Sequence, residues 1–117
     1  PNAPADGVIA AIAREAARIN RYPDGRCRRL ARRLATRLKC REDELIFGNG
    51  AEELIQIICQ AFVNEGDACL LVAHTFDAYE TGIRIMGGVP VFSPLDGMYR
   101  VDLKEMARRI TSGTKLL

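Results

Sequence analysis

The chain has 117 residues, 48% of them apolar and 27% charged, with a formal net charge of +2. That length and apolar share suffice for one hydrophobic core without disulfide or metal staples, and the composition excludes a collagen-like, low-complexity or disordered chain. No apolar run approaches the roughly 20 residues of a transmembrane helix, and Pro1-Asn2-Ala3-Pro4-Ala5-Asp6 carries no signal-peptide pattern, so no membrane association is expected.

In chain order, Val8, Ile9, Ile12, Ala16 and Ile19 fall at helical spacing and predict a helix over 6–19, ended by the turn residues Asn20-Arg21-Tyr22-Pro23-Asp24-Gly25. A second helix is expected from about Asp24 to Lys39 on the stripe Cys27, Leu30, Leu34, Leu38. The short apolar run Leu45-Ile46-Phe47 reads as a buried strand that stops at Gly48 and gives way at once to a helix over about Gly50–Val63. Ala68–Ala73 is a second strand, Thr75–Met86 a helix capped by Thr75, and Val89–Phe92 a third strand whose Pro90 suits a strand start or an edge. Asp102, with Glu105 three residues on, gives a capping box for a last helix on Leu103, Met106 and Ile110, and Thr114–Leu117 starts one more strand. Alternating strands and helices predict an α/β fold, a three-layer α-β-α arrangement on a mainly parallel sheet. The end at Lys115-Leu116-Leu117 reads as a strand whose onward connection is missing.

Cys27, Cys40, Cys59 and Cys69 form no C-x-x-C pair and have no neighbouring histidine; they read as small buried hydrophobes of a reducing, cytoplasmic protein. His74 is the one histidine, which excludes a His-based metal cluster. Residues 14–41 hold ten arginines and Lys39 against Glu15 and Asp24, a net +9. Such density can mark a nucleic-acid footprint, but Arg28, Arg29, Arg32, Arg33 and Arg37 interleave with the apolar stripe as the outer face of an amphipathic helix does. No interleaved aromatic supports nucleic acid, and the solvated face is the preferred reading.

Three features carry chemistry. Gly48-Asn49-Gly50-Ala51-Glu52-Glu53 joins a strand to a helix through two glycines, so that free N–H groups of the first helical turn can cradle an anion at the positive end of the helix dipole. It is neither a Walker loop nor a dinucleotide fingerprint, and a plain tight turn explains it equally. In His74-Thr75-Phe76-Asp77-Ala78-Tyr79 an aromatic follows a strand end, where Phe76 is either core or a platform for a flat heterocycle. Arg21-Tyr22-Pro23-Asp24-Gly25 is an exposed-looking loop whose phenol can donate to a phosphate, or simply a turn before a helix.

In this order and spacing, Asn20 to Gly25, Gly48 to Ile55, Ala61-Phe62 with Glu65-Gly66-Asp67, Thr75-Phe76 with Tyr79, and Thr114-Lys115-Leu116 resemble the fold-type I pyridoxal-phosphate aminotransferases, most of all the histidinol-phosphate aminotransferases of histidine biosynthesis. The resemblance implies pyridoxal phosphate as cofactor, bound by Gly50, Ala51 and Glu52 at its phosphate, with Phe76 stacked on its pyridine ring. Tyr22 would reach the phosphate held in the partner subunit of a homodimer. The substrates implied are an amino donor, histidinol phosphate or a related compound, and a 2-oxoacid acceptor, 2-oxoglutarate. Residues 1–19 would be an arm or small-domain segment, and 20–117 the first part of the large domain.

His74 stands where the family usually has proline. The Schiff-base lysine, the aspartate facing the pyridine nitrogen, a second tyrosine and the substrate-carboxylate arginine are expected beyond Leu117. The chain would then hold no catalytic residue and be inactive alone. Lys115 is rejected as the reactive lysine because a residue entering a strand lies far from the cradle. Two other readings stand beside this one: an amino-acid phosphate decarboxylase on the same scaffold, and a non-enzymatic basic module that binds nucleic acid.

Overall fold

The computed structural model describes residues 2–117, which divide into two compact units between Phe47 and Gly48.

The first unit holds α1 (Asp6–Ala16), α2 (Arg28–Leu38) and a 3-10 turn at Glu42–Glu44. Helix α1 stops three residues short of Ile19, where the chain tightens. The amide of Arg18 donates to the Glu15 carbonyl at 2.8 Å and that of Arg21 to Arg18 at 3.1 Å, the three-residue turns that close a fraying end. Pro23 then bars helical geometry at Tyr22. Helix α2 starts at Arg28, four residues later than expected, because Asp24 caps it from a distance. One carboxylate oxygen of Asp24 accepts from the Arg28 amide at 3.0 Å and the other from the Arg26 amide at 3.2 Å. The buried face of α2 is Ala31 and Ala35, with Leu34 half-buried, whereas Leu30 and Leu38 are exposed. The face is thus turned one residue from the leucine stripe, toward the small side chains.

The strand expected at Leu45-Ile46-Phe47 does not form. Leu45 has extended backbone (φ −111°, ψ 132°), but a strand exists only through ladder hydrogen bonds to a neighbour. These residues have no ladder partner among the described residues, and Ile46 is 63% exposed. Apolar composition alone could not reveal the missing partner.

The second unit runs α3 (Ala51–Phe62), β1 (Ala68–Val72), α4 (Asp77–Ile85), β2 (Val89–Ser93), α5 (Leu103–Arg109) and β3 (Thr114–Leu116). Its sheet has the order β2-β1-β3, all parallel, with Ala68 opposite Val89 and Val72 opposite Ser93. Three strands are present where four were expected, and Pro90 lies on an edge strand, where its missing N–H is tolerated. The chain crosses the sheet one way through α4 and the other way through α5. Right-handed crossovers therefore put α4 and α5 on opposite faces, the α-β-α layering.

The core joins Ile55 and Cys59 of α3, Val63, Cys69 of β1, and Ala78 and Ile83 of α4. Bare glycines allow this close approach. A Cβ on Gly82 would lie 3.1 Å from the Cys59 sulfur, and one on Gly88 would lie 2.6 Å from Val63 Cγ1. Helix α5 starts as expected at Asp102, one of whose oxygens accepts from the amides of Lys104 and Glu105 at 3.0 Å each. Only that half of the capping box forms, since the Glu105 carboxylate turns to Arg109 at 2.8 Å and Arg108 at 3.4 Å.

Candidate functional site

The amino end of α3 is built by a backbone that only glycine adopts readily. Gly50, the residue before the helix, has φ +87° and ψ 179°, a region essentially closed to side chains. Its own amide turns back to the Gly48 carbonyl at 2.9 Å, so Gly50 shapes the turn and its N–H is spent inside it. No side chain among the described residues caps α3. The amides of Ala51, Glu52 and Glu53, which have no partner within a helix by geometry, are left at its positive end. Glu53 instead reaches back past Gly50: its Oε2 accepts from the Asn49 amide and, at 3.0 Å, from Asn49 Nδ2.

The second feature lies at the carboxyl end of β1. The Ala73 amide donates to the Ser93 carbonyl at 2.8 Å, extending the ladder by one bond. His74 then takes φ +60°, a conformation that a proline ring, fixed near −65°, cannot adopt. The residue before α4 is Phe76 rather than Thr75, in extended backbone and without a side-chain cap. This moves the helix start one residue on and leaves the Phe76 ring 51% exposed. Tyr79, one turn later, meets that ring edge to face, with centroids 6.3 Å apart and planes at 88°. Tyr79 also walls an apolar cavity of about 350 Å³, together with Ile55 and Ile58 of α3, Leu71 and Val72 of β1, and Thr75.

Tyr22 belongs to the first unit and is fully exposed. The loop behind it is fixed by Asp24, whose carboxyl is held below its ordinary range by the Arg28 and Arg26 amides and then by the Arg28 guanidinium. Of the basic residues of α2, Arg28 pairs with Asp24 at 3.3 Å and Arg32 with Glu42 at 3.5 Å, both exposed. Arg29, Arg33 and Arg37 are exposed as well, so the arginines form the solvent-facing side of α2, as their interleaving with the apolar stripe predicts.

Lys115 is the middle, exposed residue of β3. It falls in a register shift, with Thr114 opposite Ala68 and Leu116 opposite Cys69. It therefore neighbours the amino end of β1 and the adjacent Asp67, whose carboxyl is held low first by the Asn64 amide and side chain and then by Lys115. Phe76 follows the other end of β1. The thiols of Cys59 and Cys69 are buried and pushed up by desolvation, whereas Cys27 and Cys40 are only half-buried, a correction to the reading of all four as core. Among the described residues no group of His, Cys, Asp and Glu could hold a metal, and no helix is long and apolar enough to cross a membrane.

The profile of the family "Aminotransferase class I and II" matches residues 2–117. The chain belongs to that family. The histidinol-phosphate aminotransferase of Caldicellulosiruptor saccharolyticus is 35% identical over 117 residues, which are all of this chain and 32% of that protein. The chain thus spans about a third of the length of this relative. Among solved structures, the histidinol-phosphate aminotransferase of Clostridium acetobutylicum superposes with a TM-score of 0.70 at 25% identity, over 90% of this chain and 30% of that one. That of Sinorhizobium meliloti, crystallised in complex with pyridoxal-5'-phosphate, gives a TM-score of 0.80 over 88% of this chain and 28% of its own, and at 24% identity it speaks for the fold.

Two contacts at this candidate site were not expected from the sequence, that of Glu53 with Asn49 and that of the Tyr79 edge with Phe76. Both had a signal in their spacing. Glu53 is the third helical residue, where a carboxylate can reach back, and Phe76 and Tyr79 are three apart, on one helix face.

Proposed function

We propose that the chain is the cofactor-anchoring part of a pyridoxal-phosphate-dependent aminotransferase, one that moves an amino group between histidinol phosphate, or a related amine, and 2-oxoglutarate. The observation that carries the reading is the uncapped amino end of α3, in a chain whose family profile runs over residues 2–117. The residues fit the group. A phosphate needs several convergent N–H donors and room, and Ala51 and Glu52 offer the donors while nothing lies within 4 Å of the side-chain direction of Gly50.

In this reading the amides of Ala51 and Glu52 hold the phosphate, aided by the dipole of α3, and Gly50 sets their direction. The half-exposed ring of Phe76 provides a flat apolar surface for the pyridine. Tyr22 reaches the phosphate bound in the partner of a homodimer. When bound, pyridoxal phosphate supplies the electron-withdrawing ring on which amino transfer depends. The lysines of this chain are Lys39 just after α2, Lys104 in α5 and Lys115 beside the amino end of β1; in this reading none of them forms the Schiff base, and the 117 residues alone anchor without transaminating. Residues 1–19 serve as an arm and 20–117 as the start of a large domain, in a cytoplasmic enzyme.

The test is a chimera in which these 117 residues replace the matching segment of the Caldicellulosiruptor saccharolyticus enzyme. The expected result is a chimera that retains pyridoxal phosphate and forms glutamate from histidinol phosphate and 2-oxoglutarate, while the 117 residues alone give no turnover. A chimera that assembles yet releases the cofactor would overturn the reading, as would turnover by the isolated chain.

A further inference from the structure

We propose that Glu53 is a positioning residue for the phosphate anchor, a latch that ties Asn49 to the first turn of α3 and so leaves the Ala51 and Glu52 amides free for a ligand. The inference rests on the reading of that helix end as the anchor. Ordinarily a helix satisfies its first amides itself. A side chain at the residue before the helix takes the second or third amide, and a glutamate at the third position reaches back to the N–H of that preceding residue.

Here both routes are closed. Gly50 has no side chain to offer, and its N–H is already given to the Gly48 carbonyl at 2.9 Å. Glu53 therefore reaches one residue farther, where a single oxygen takes both the backbone amide and, at 3.0 Å, the side-chain amide of Asn49. Gly48 makes room for that carboxylate, since a Cβ there would lie 3.1 Å from the same oxygen and 3.1 Å from Leu54 Cδ2. The turn is thus fixed by its own amides and one carboxylate, and the helix end stays uncapped. The carboxylate keeps its charge, but with one oxygen bound to the two N–H donors of Asn49 it ties the loop and does not occupy the Ala51 and Glu52 amides.

The experiment uses pyridoxamine 5'-phosphate and pyridoxamine as probes on the 117-residue chain, because neither has an aldehyde that could condense with a lysine. Affinity is read by fluorescence titration, and exchange of the Asn49 amide by NMR. Wild type is expected to prefer the phosphorylated probe. Glu53→Ala should cut that preference about tenfold and speed Asn49 exchange about tenfold, whereas Glu53→Gln, which can still accept from Asn49, should stay within about threefold of wild type on both.

A preference left intact by Glu53→Ala overturns the latch and leaves the anchor standing. No preference in wild type overturns the anchor, and Asn49 exchange then still decides whether Glu53 ties the loop. If Glu53→Ala fails to fold, Glu53→Leu, which fills similar space and cannot accept from Asn49, is expected to move both readouts in the same direction; unchanged readouts in it overturn the latch.

Discussion

Phe76 and Tyr79 meet edge to face, 6.3 Å between ring centroids and at 88°, so the exposed ring at the start of α4 is held by a second ring one turn along the same helix. If Phe76 is the platform for a flat ligand, Tyr79 sets the plane of that platform. An aromatic pair of this geometry contributes about 0.5–1.5 kcal/mol. Tyr79→Leu should therefore weaken pyridoxamine 5'-phosphate binding about 3–10-fold, and Tyr79→Phe, which keeps the edge, should remain within about twofold. Equal affinity in Tyr79→Leu and wild type would show that Phe76 needs no such support.

Gly50→Ala isolates backbone conformation from crowding, because an added methyl meets nothing within 4 Å while φ +87° is closed to alanine. The expected cost is about 1–3 kcal/mol of stability or a rearranged turn, seen as a lower thermal midpoint together with displaced amide resonances at Ala51 and Glu52. A variant with the wild-type midpoint and unmoved resonances contradicts the assigned role of Gly50.

Two substitutions test the packing behind the site in opposite directions. Gly88→Ala places a methyl 2.6 Å from Val63 Cγ1, 2.9 Å from Ile83 Cγ2 and 3.2 Å from the Ile83 carbonyl, an overpacking worth about 1–3 kcal/mol of destabilisation. Ser93 is wholly buried at the end of β2, and its hydroxyl has no hydrogen-bond partner among the described residues. Ser93→Ala removes that unsatisfied group and should leave stability unchanged or raise it by about 1 kcal/mol. Denaturant midpoints compare the pair, and a fall in Ser93→Ala would mean that the hydroxyl has a partner in solution.

The helix starts show how far the sequence carried. Asp102 was legible because its carboxylate does in the fold what its spacing announces, accepting from Lys104 and Glu105. The run from Gly48 to Glu53 was legible as an uncapped turn, since two glycines leave no side chain for capping. The cap of α4 differs from the one the sequence suggests: Thr75 has the side chain of a capping residue, yet the turn at Ala73-His74, with φ +60° at His74, delivers Phe76 to that place. No strand forms at Leu45–Phe47 although the residues are apolar, because a ladder depends on a partner that periodicity does not contain. The leucine stripe of α2 misled for the same reason, as contacts chose the smaller Ala31 and Ala35.

The dependence of stability on pH follows from groups of opposite kind. Asp24, Asp67 and Asp96, the last held low by the amides of Arg100 and Met98 and by the Arg100 side chain, have folded values below the ordinary 3.8, so the stability they contribute is present above about pH 4 and is lost as pH falls through their folded values. Cys59 and Cys69 lie above 9.0, and their contribution is complete below about pH 9 and is lost as pH rises toward their folded values. Stability should thus form a plateau between these limits, and the double variant Cys59→Ala/Cys69→Ala should flatten the alkaline fall. Thiol titration of the native chain should modify half-buried Cys27 and Cys40 first. Fast modification of all four would contradict the core assigned to the second unit.

In the proposed function, the amino end of α3 receives a phosphate. An amide-resolved NMR titration of the 117-residue chain with pyridoxamine 5'-phosphate decides whether it does. The expected result is a set of saturable shifts that are largest at the Ala51 and Glu52 amides, with Phe76 ring protons moving in the same titration and pyridoxamine without its phosphate leaving the two amides in place. Shifts confined to the arginines of α2, with Ala51 and Glu52 unmoved, would contradict it.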